Sequence, residues 1–200
     1  VHTLFVVAIG VGFIGRRDDS KRGSFMNVVS LVGSGIDAGL ANGVDLSMRT
    51  VVAINNAWRA VHKIDYHVYA GDWLRDLPAY PLKNTGKLTL VSFREYDSPR
   101  QHERFGGRTI GLGATMFFNA AYWILGELQP DLIEFFGCSM HYPRGEANTF
   151  YGAGNADPLR YDTDDIMRWF AIFAEHAEKR RCRLWNRGTA DGLMPYPTSI

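Results

Sequence analysis

Two stretches of this chain set glycines where a phosphate could approach the backbone. In AIGVGFIGRR, Gly10, Gly12 and Gly15 match G-x-G-x-x-G, the spacing of a dinucleotide-binding turn. In NVVSLVGSGIDAG, Gly33, Ser34 and Gly35 follow a β-branched, apolar run and precede IDAGLA, a short helical stretch. A phosphate-holding turn needs a helix directly behind it, because the free N–H groups at a helix start meet the anion. The first stretch runs instead into RRDDSKRGSF, which has no apolar period. Its nearest acid at the required distance, roughly 20 positions on, is Asp37, which lies inside the second glycine loop. The second stretch has its strand and helix in the right order. Gly33, Ser34 and Gly35 are therefore the expected nucleotide-binding loop, with the Ser34 hydroxyl as an added donor.

Other residues with useful chemistry fall at the ends of later apolar runs. AINNAW places Asn55 and Asn56 at a strand tip, where an amide offers both a donor and an acceptor to a base edge or a ribose. Asn55 is the expected ligand contact, and Asn56 suits a helix cap. YAGDW puts Asp72 after the next strand, to orient a hydroxyl. A metal site needs several acids, and none follows at ligand spacing before Asp76, so no metal is expected. FGGRTIGLGAT brings Gly113 and Thr115 to a helix start, a second place for an anion or a mobile lid. The segment GCSMHYPRGEANTFYGAGNADPLRYD, residues 137–162, is long and irregular for a compact domain, which points to function. Within it His141 is the candidate general base, Arg144 would offset substrate charge, and Tyr151 would donate to a leaving group.

These residues need a scaffold. Residues 27–32, 50–54, 66–70, 88–93, 132–136 and 183–185 are short runs rich in β-branched and aromatic residues, the pattern of strands buried on both faces. Helical patterns lie between them. Residues 114–128 form one, and residues 164–181 the clearest, with Ile166, Trp169, Phe170, Phe173 and Ala177 at i, i+3, i+4, i+7 and i+11. Asp162 or Thr163 would cap that helix. Strands alternating with helices predict an α/β fold: a Rossmann-like, mostly parallel sheet of about six strands with helices on both faces. Ligands bind such sheets at the carboxyl ends of the strands, where the residues above fall.

Bulk properties narrow the setting. With 200 residues and 46% hydrophobic content the chain is sized for one domain. Its 22 basic and 21 acidic residues nearly cancel, which argues against a nucleic-acid partner or a polybasic membrane anchor. Leu4 to Ile14 is apolar but well short of the roughly 20 residues of a membrane-spanning helix, and its flanking charges follow it, unlike a signal peptide. A cytoplasmic protein with two reduced core thiols, Cys138 and Cys182, is the expectation. The charged linker 16–25 followed by Met26 predicts a leader or loosely ordered extension over 1–25, with the domain proper from 26 to 200. Self-association into a homo-oligomer is left open.

The order of these motifs resembles the bacterial sialyltransferase-like fold. Its members include lipooligosaccharide sialyltransferases, the motility accessory factor glycosyltransferase domain, and 6-hydroxymethylpterin diphosphokinase-like proteins. The likeness runs from Met26 to Pro197 and rests on the glycine-serine loop, the AIN tip, the G-A-T helix start, IEFFGCSM, NTFYG, the long amphipathic helix and RLWNRGTADGLMPYP. It implies a nucleotide-sugar donor, CMP-sugar favoured, with Gly33 to Gly35 and Asn55 facing the nucleotide, Gly137 to Met140 near the donor and Asn186 closing the site. It also implies transfer to a small-molecule or glycan acceptor without a divalent metal. Two positions depart from the pattern: Thr149 stands where relatives carry a histidine base, and the loop reads G-S-G-I-D in place of G-N-G-P-S. Two further readings therefore stay open. One is Mg-dependent pyrophosphoryl transfer from ATP through Asp72 and Asp157, and the other a nucleotide-binding protein without catalysis.

Overall fold

The computed structural model describes residues 26–71, 88–113, 115–140, 149–152, 163–189 and 192–198. Six strands form one parallel sheet: β1 (Val28–Val32), β2 (Thr50–Ile54), β3 (Tyr66–Val68), β4 (Thr89–Val91), β5 (Leu132–Phe136) and β6 (Arg183–Asn186). Their spatial order is β4-β3-β2-β1-β5-β6. The chain therefore builds outward from β1 in one direction, then returns to lay β5 against the other side of β1. That reversal is a topological switch point, and open α/β sheets bind ligands outside the carboxyl ends of the strands at such a point.

The strands alternate residues between two dissimilar faces. Val29, Leu31, Val52, Ile54, Val68, Val91, Ile133 and Phe135 line one face, in a core with Phe117, Phe118, Tyr122, Phe170 and Phe173. Those aromatics come from α3 (Met116–Trp123) and α4 (Thr163–Lys179), after the short α1 (Phe93–Tyr96) and α2 (Pro99–Phe105). The stripe read in the sequence is the buried side of α4: Ile166, Phe170, Phe173 and Ala177 are all closed to solvent. The helix expected over 114–128 is interrupted. After Trp123 it widens into a π-helical turn, Ile124–Leu128, and ends on Gln129 at φ 47°. A side chain at Gly126 would collide with the Gln101 amide, so α2 sits hard against this turn.

Among the described residues, the other face is covered by 3₁₀ segments. Ala38–Gly43 and Asn55–Ala60 pack Ala38, Ala41 and Ala57 onto Val32, Val51, Ala53 and Phe136, with Phe150 alongside. Small residues and glycines in AGLANG allow the close approach but do not favour a longer α-helix. This face also buries Ser30, His67 and Glu134, each with no exposed surface. Cys138 and Cys182 are buried and free, and burial drives both thiols up, Cys182 to about 12. Among the described residues, no helix is long and apolar enough to cross a membrane.

Candidate functional site

The glycine loop after β1 crosses the end of β5 at close quarters. The Gly33 N–H donates to the Phe136 carbonyl and the Gly35 N–H to the Gly137 carbonyl, both at 2.8 Å. A Cβ on Gly33 would collide with the Gly137 carbonyl, and one on Gly35 would lie 2.8 Å from it. Gly137 itself sits at φ 61°, with its Cα side against Gly33 and Ala38. The glycines are therefore needed for two backbones to touch, and their N–H groups are committed to β5. A phosphate at this loop would have to be held by other groups.

The loop also carries a buried carboxyl group, Asp37, at the start of the first 3₁₀ segment. It is 93% buried as the complement of its 7% exposure. Its Oδ2 accepts the Thr189 N–H at 2.8 Å, while its Oδ1 is shut from solvent and accepts no hydrogen bond among the described residues. That oxygen lies about 3.1 Å from where a Cβ on Gly35 would stand, and Gly188 must be glycine-small to clear Oδ2. A buried acceptor left unpaired costs on the order of 1–3 kcal/mol, more for a charged one. Asn186 shapes the opposite wall. Its Oδ1 accepts the Gly188 N–H at 2.8 Å, forming the turn that presents Thr189 to Asp37. Arg187 in that turn is anchored by a buried carboxylate: Glu134 takes Arg187 on Oε1, with the Nε contact at 2.9 Å, and Arg49 Nε on Oε2 at 2.8 Å. Beyond it, the Leu193 N–H donates to the Ser139 carbonyl at 2.7 Å, so residues 192–198 fold back onto the end of β5.

On the β2 side, Asn55 adopts φ 46° and braces two strand tips. Its Oδ1 accepts the Ala70 N–H at 3.0 Å, and its carbonyl accepts from His67 Nε2 at 2.7 Å. Burial holds His67 down to about 4, against a gain from that carbonyl, so the ring is neutral. Among the described residues, no hydrogen bond uses the Asn55 amide nitrogen. The short turn Thr149–Gly152, closed by a 2.6 Å bond from the Thr149 hydroxyl to the Gly152 carbonyl, rests on the loop: the Phe150 N–H donates to the Ser34 carbonyl at 3.1 Å. Tyr151 is partly exposed, packs edge-on to Phe150 at 5.0 Å, and lies under the Arg59 guanidinium at 5.6 Å.

The structure thus gathers Gly33, Ser34, Gly35, Asn55, Tyr151 and Asn186 around the carboxyl ends of β1, β2, β5 and β6. Gly113 and Thr115 serve the start of α3. Gly113 sits at φ 104° with its Cα against the Phe118 ring, and the buried Thr115 hydroxyl accepts the Phe118 N–H at 3.4 Å. Thr115 is the cap preceding the helix and not part of its first turn, so its oxygen is used locally. Asp72, His141 and Arg144 lie outside the described residues, as do Asp157 and the first 25 positions. Among the described residues, no three His, Cys, Asp or Glu side chains converge as a metal site would need. Sequence reasoning passed over Asp37, Arg59 and the Glu134–Arg187 anchor. Asp37 was visible as an acid inside a glycine loop. Arg59 and Glu134 carried no local signal, because their roles depend on partners far along the chain.

Comparison with known proteins gives no match to any family model, curated protein or solved structure.

Proposed function

We propose that this domain binds a nucleotide-activated sugar, CMP-sugar favoured, at the β1–β5 switch point and transfers the sugar to a small-molecule or glycan acceptor without a divalent metal. The observation that carries the binding half is Asp37. A carboxyl oxygen of this kind accepts hydrogen bonds, and the buried Asp37 Oδ1, which takes none among the described residues, would be satisfied by a ligand that enters beside Gly35 with an O–H or N–H donor, such as a ribose hydroxyl or an exocyclic amine. The Asn55 amide nitrogen at the neighbouring strand tip offers a complementary donor. The transfer half rests on the motif order from Gly33 to Asn186. Leaving-group departure from such a donor is served by positioning and by charges fixed around the phosphate, and in this reading Tyr151 donates to that group. A thermal-shift panel of CMP, UDP, GDP, ATP and NAD, each with and without Mg²⁺, tests the reading. Stabilisation by CMP independent of metal is the expected result. Stabilisation by ATP only with Mg²⁺ would move the reading to pyrophosphoryl transfer, and NAD as sole stabiliser would overturn the choice of site.

A further inference from the structure

A nucleotide at this crevice carries a phosphate, and the glycine loop has no N–H from Gly33 or Gly35 to offer it. The cation that meets it must come from elsewhere on the rim. Of the arginines that reach this end of the sheet, Arg187 is committed to Glu134. Arg59 is exposed and forms no ion pair among the described residues, and its guanidinium lies over the Tyr151 ring. Tyr151 in turn stands edge-on to Phe150, whose N–H holds the Ser34 carbonyl and whose ring packs on the core beneath. Three separate elements are thereby locked together: the glycine loop, the segment after β2, and the Thr149–Gly152 turn. A guanidinium held over an aromatic face by a cation–π contact keeps its N–H groups available to an oxyanion. The Tyr151 hydroxyl, which has no hydrogen-bond partner among the described residues, supplies a further donor at the same rim.

Resting on the nucleotide reading above, we infer that Arg59 and Tyr151 form the phosphate-recognition pole of the site, opposite an acceptor pole at Asp37. The two poles are separated by sign. Asp37 turns its carboxylate toward Thr189, on the β6 side of the loop, while Arg59 stands on the β2 side. A nucleoside monophosphate laid across β1 places its sugar toward the carboxylate and its phosphate toward the guanidinium. Arg59 is a binding residue in this arrangement, and it discriminates phosphorylated ligands from their nucleosides.

Isothermal titration of CMP and of cytidine into wild-type protein, Arg59→Gln, Arg59→Lys and Tyr151→Phe reads this directly. Arg59→Gln weakens CMP by about tenfold or more while cytidine affinity stays unchanged, the loss expected for a charge-assisted hydrogen bond. Arg59→Lys restores part of the difference, and Tyr151→Phe removes a smaller part of it. Equal weakening of CMP and cytidine, or no change in either, overturns the assignment. If wild-type protein binds neither compound, the nucleotide reading fails on its own, and pyrophosphate then tests the pole alone. Pyrophosphate bound by wild type and lost in Arg59→Gln upholds the anion site, and no binding of pyrophosphate removes it.

Discussion

His67 shows how a single buried group couples the rim of this sheet to solution conditions. Its ring has no exposed surface, and its Nε2 proton is held by the Asn55 carbonyl, so protonating the other nitrogen means burying a cation. The folded-state value near 4 lies below the ordinary 6.5. The unfolded chain therefore takes up the proton first as pH falls. The stabilisation is complete above about pH 6.5 and is lost between there and about pH 4. Urea unfolding at pH 7.5 and pH 5.0 is expected to show this as about 2 kcal/mol of stability lost through His67. His67→Gln should flatten that part of the profile, and an unchanged slope would show that the ring titrates freely. At this scale the sequence was only partly legible. Asn55 was picked for its place at a strand tip, but its left-handed backbone and its bond to Ala70 follow from β3 lying alongside, which no local pattern encodes.

At the scale of elements, the strands were the readable part. Runs such as TVVAI and LIEFF are apolar on both faces, and only a strand covered on both sides makes use of that. The small helices between β4 and α3 were missed although their signals were present. Ser92 and Glu95 form a capping box, Ser98 caps α2 with Pro99 in its first turn, and Gly106 ends it at φ 76°. At four and seven residues they are too short to show the apolar stripe by which a helix is read from sequence. The exception inside a legible strand is Glu134, a charge in the middle of LIEFF. It sits level with Ser30 on β1 and Trp185 on β6, and it ties Arg49 before β2 to Arg187 after β6. Removing one member of a buried pair strands the rest. Glu134→Ala should cost about 3–5 kcal/mol in chemical denaturation. It should also loosen the Asn186–Thr189 turn, which hydrogen exchange at the Thr189 amide would report as lost protection. Retained protection at that amide would show that the turn stands without its anchor.

On the scale of the whole molecule, strand order decides where function can sit. A chain that runs β1 to β4 outward and returns with β5 opens a single crevice at the reversal, and the glycine loop, Asp37 and the Asn186 turn all meet there. The sequence led to this end of the sheet through motif order, because the loops that carry chemistry follow the strands they cap. The Gly33 and Gly35 N–H groups are bonded to the end of β5, a use of these glycines that the loop's own sequence does not signal. The proposed phosphate pole at Arg59 is exposed, and Asp37 is buried on the other side of the loop. The most direct measurement is a two-dimensional amide NMR titration of labelled protein with CMP. The account predicts saturable shifts confined to the amides of Ser34 to Asp37, Asn55 to Arg59, Phe150 to Gly152 and Arg187 to Thr189. Shifts centred on another part of the sheet, or none at saturating CMP, would contradict it.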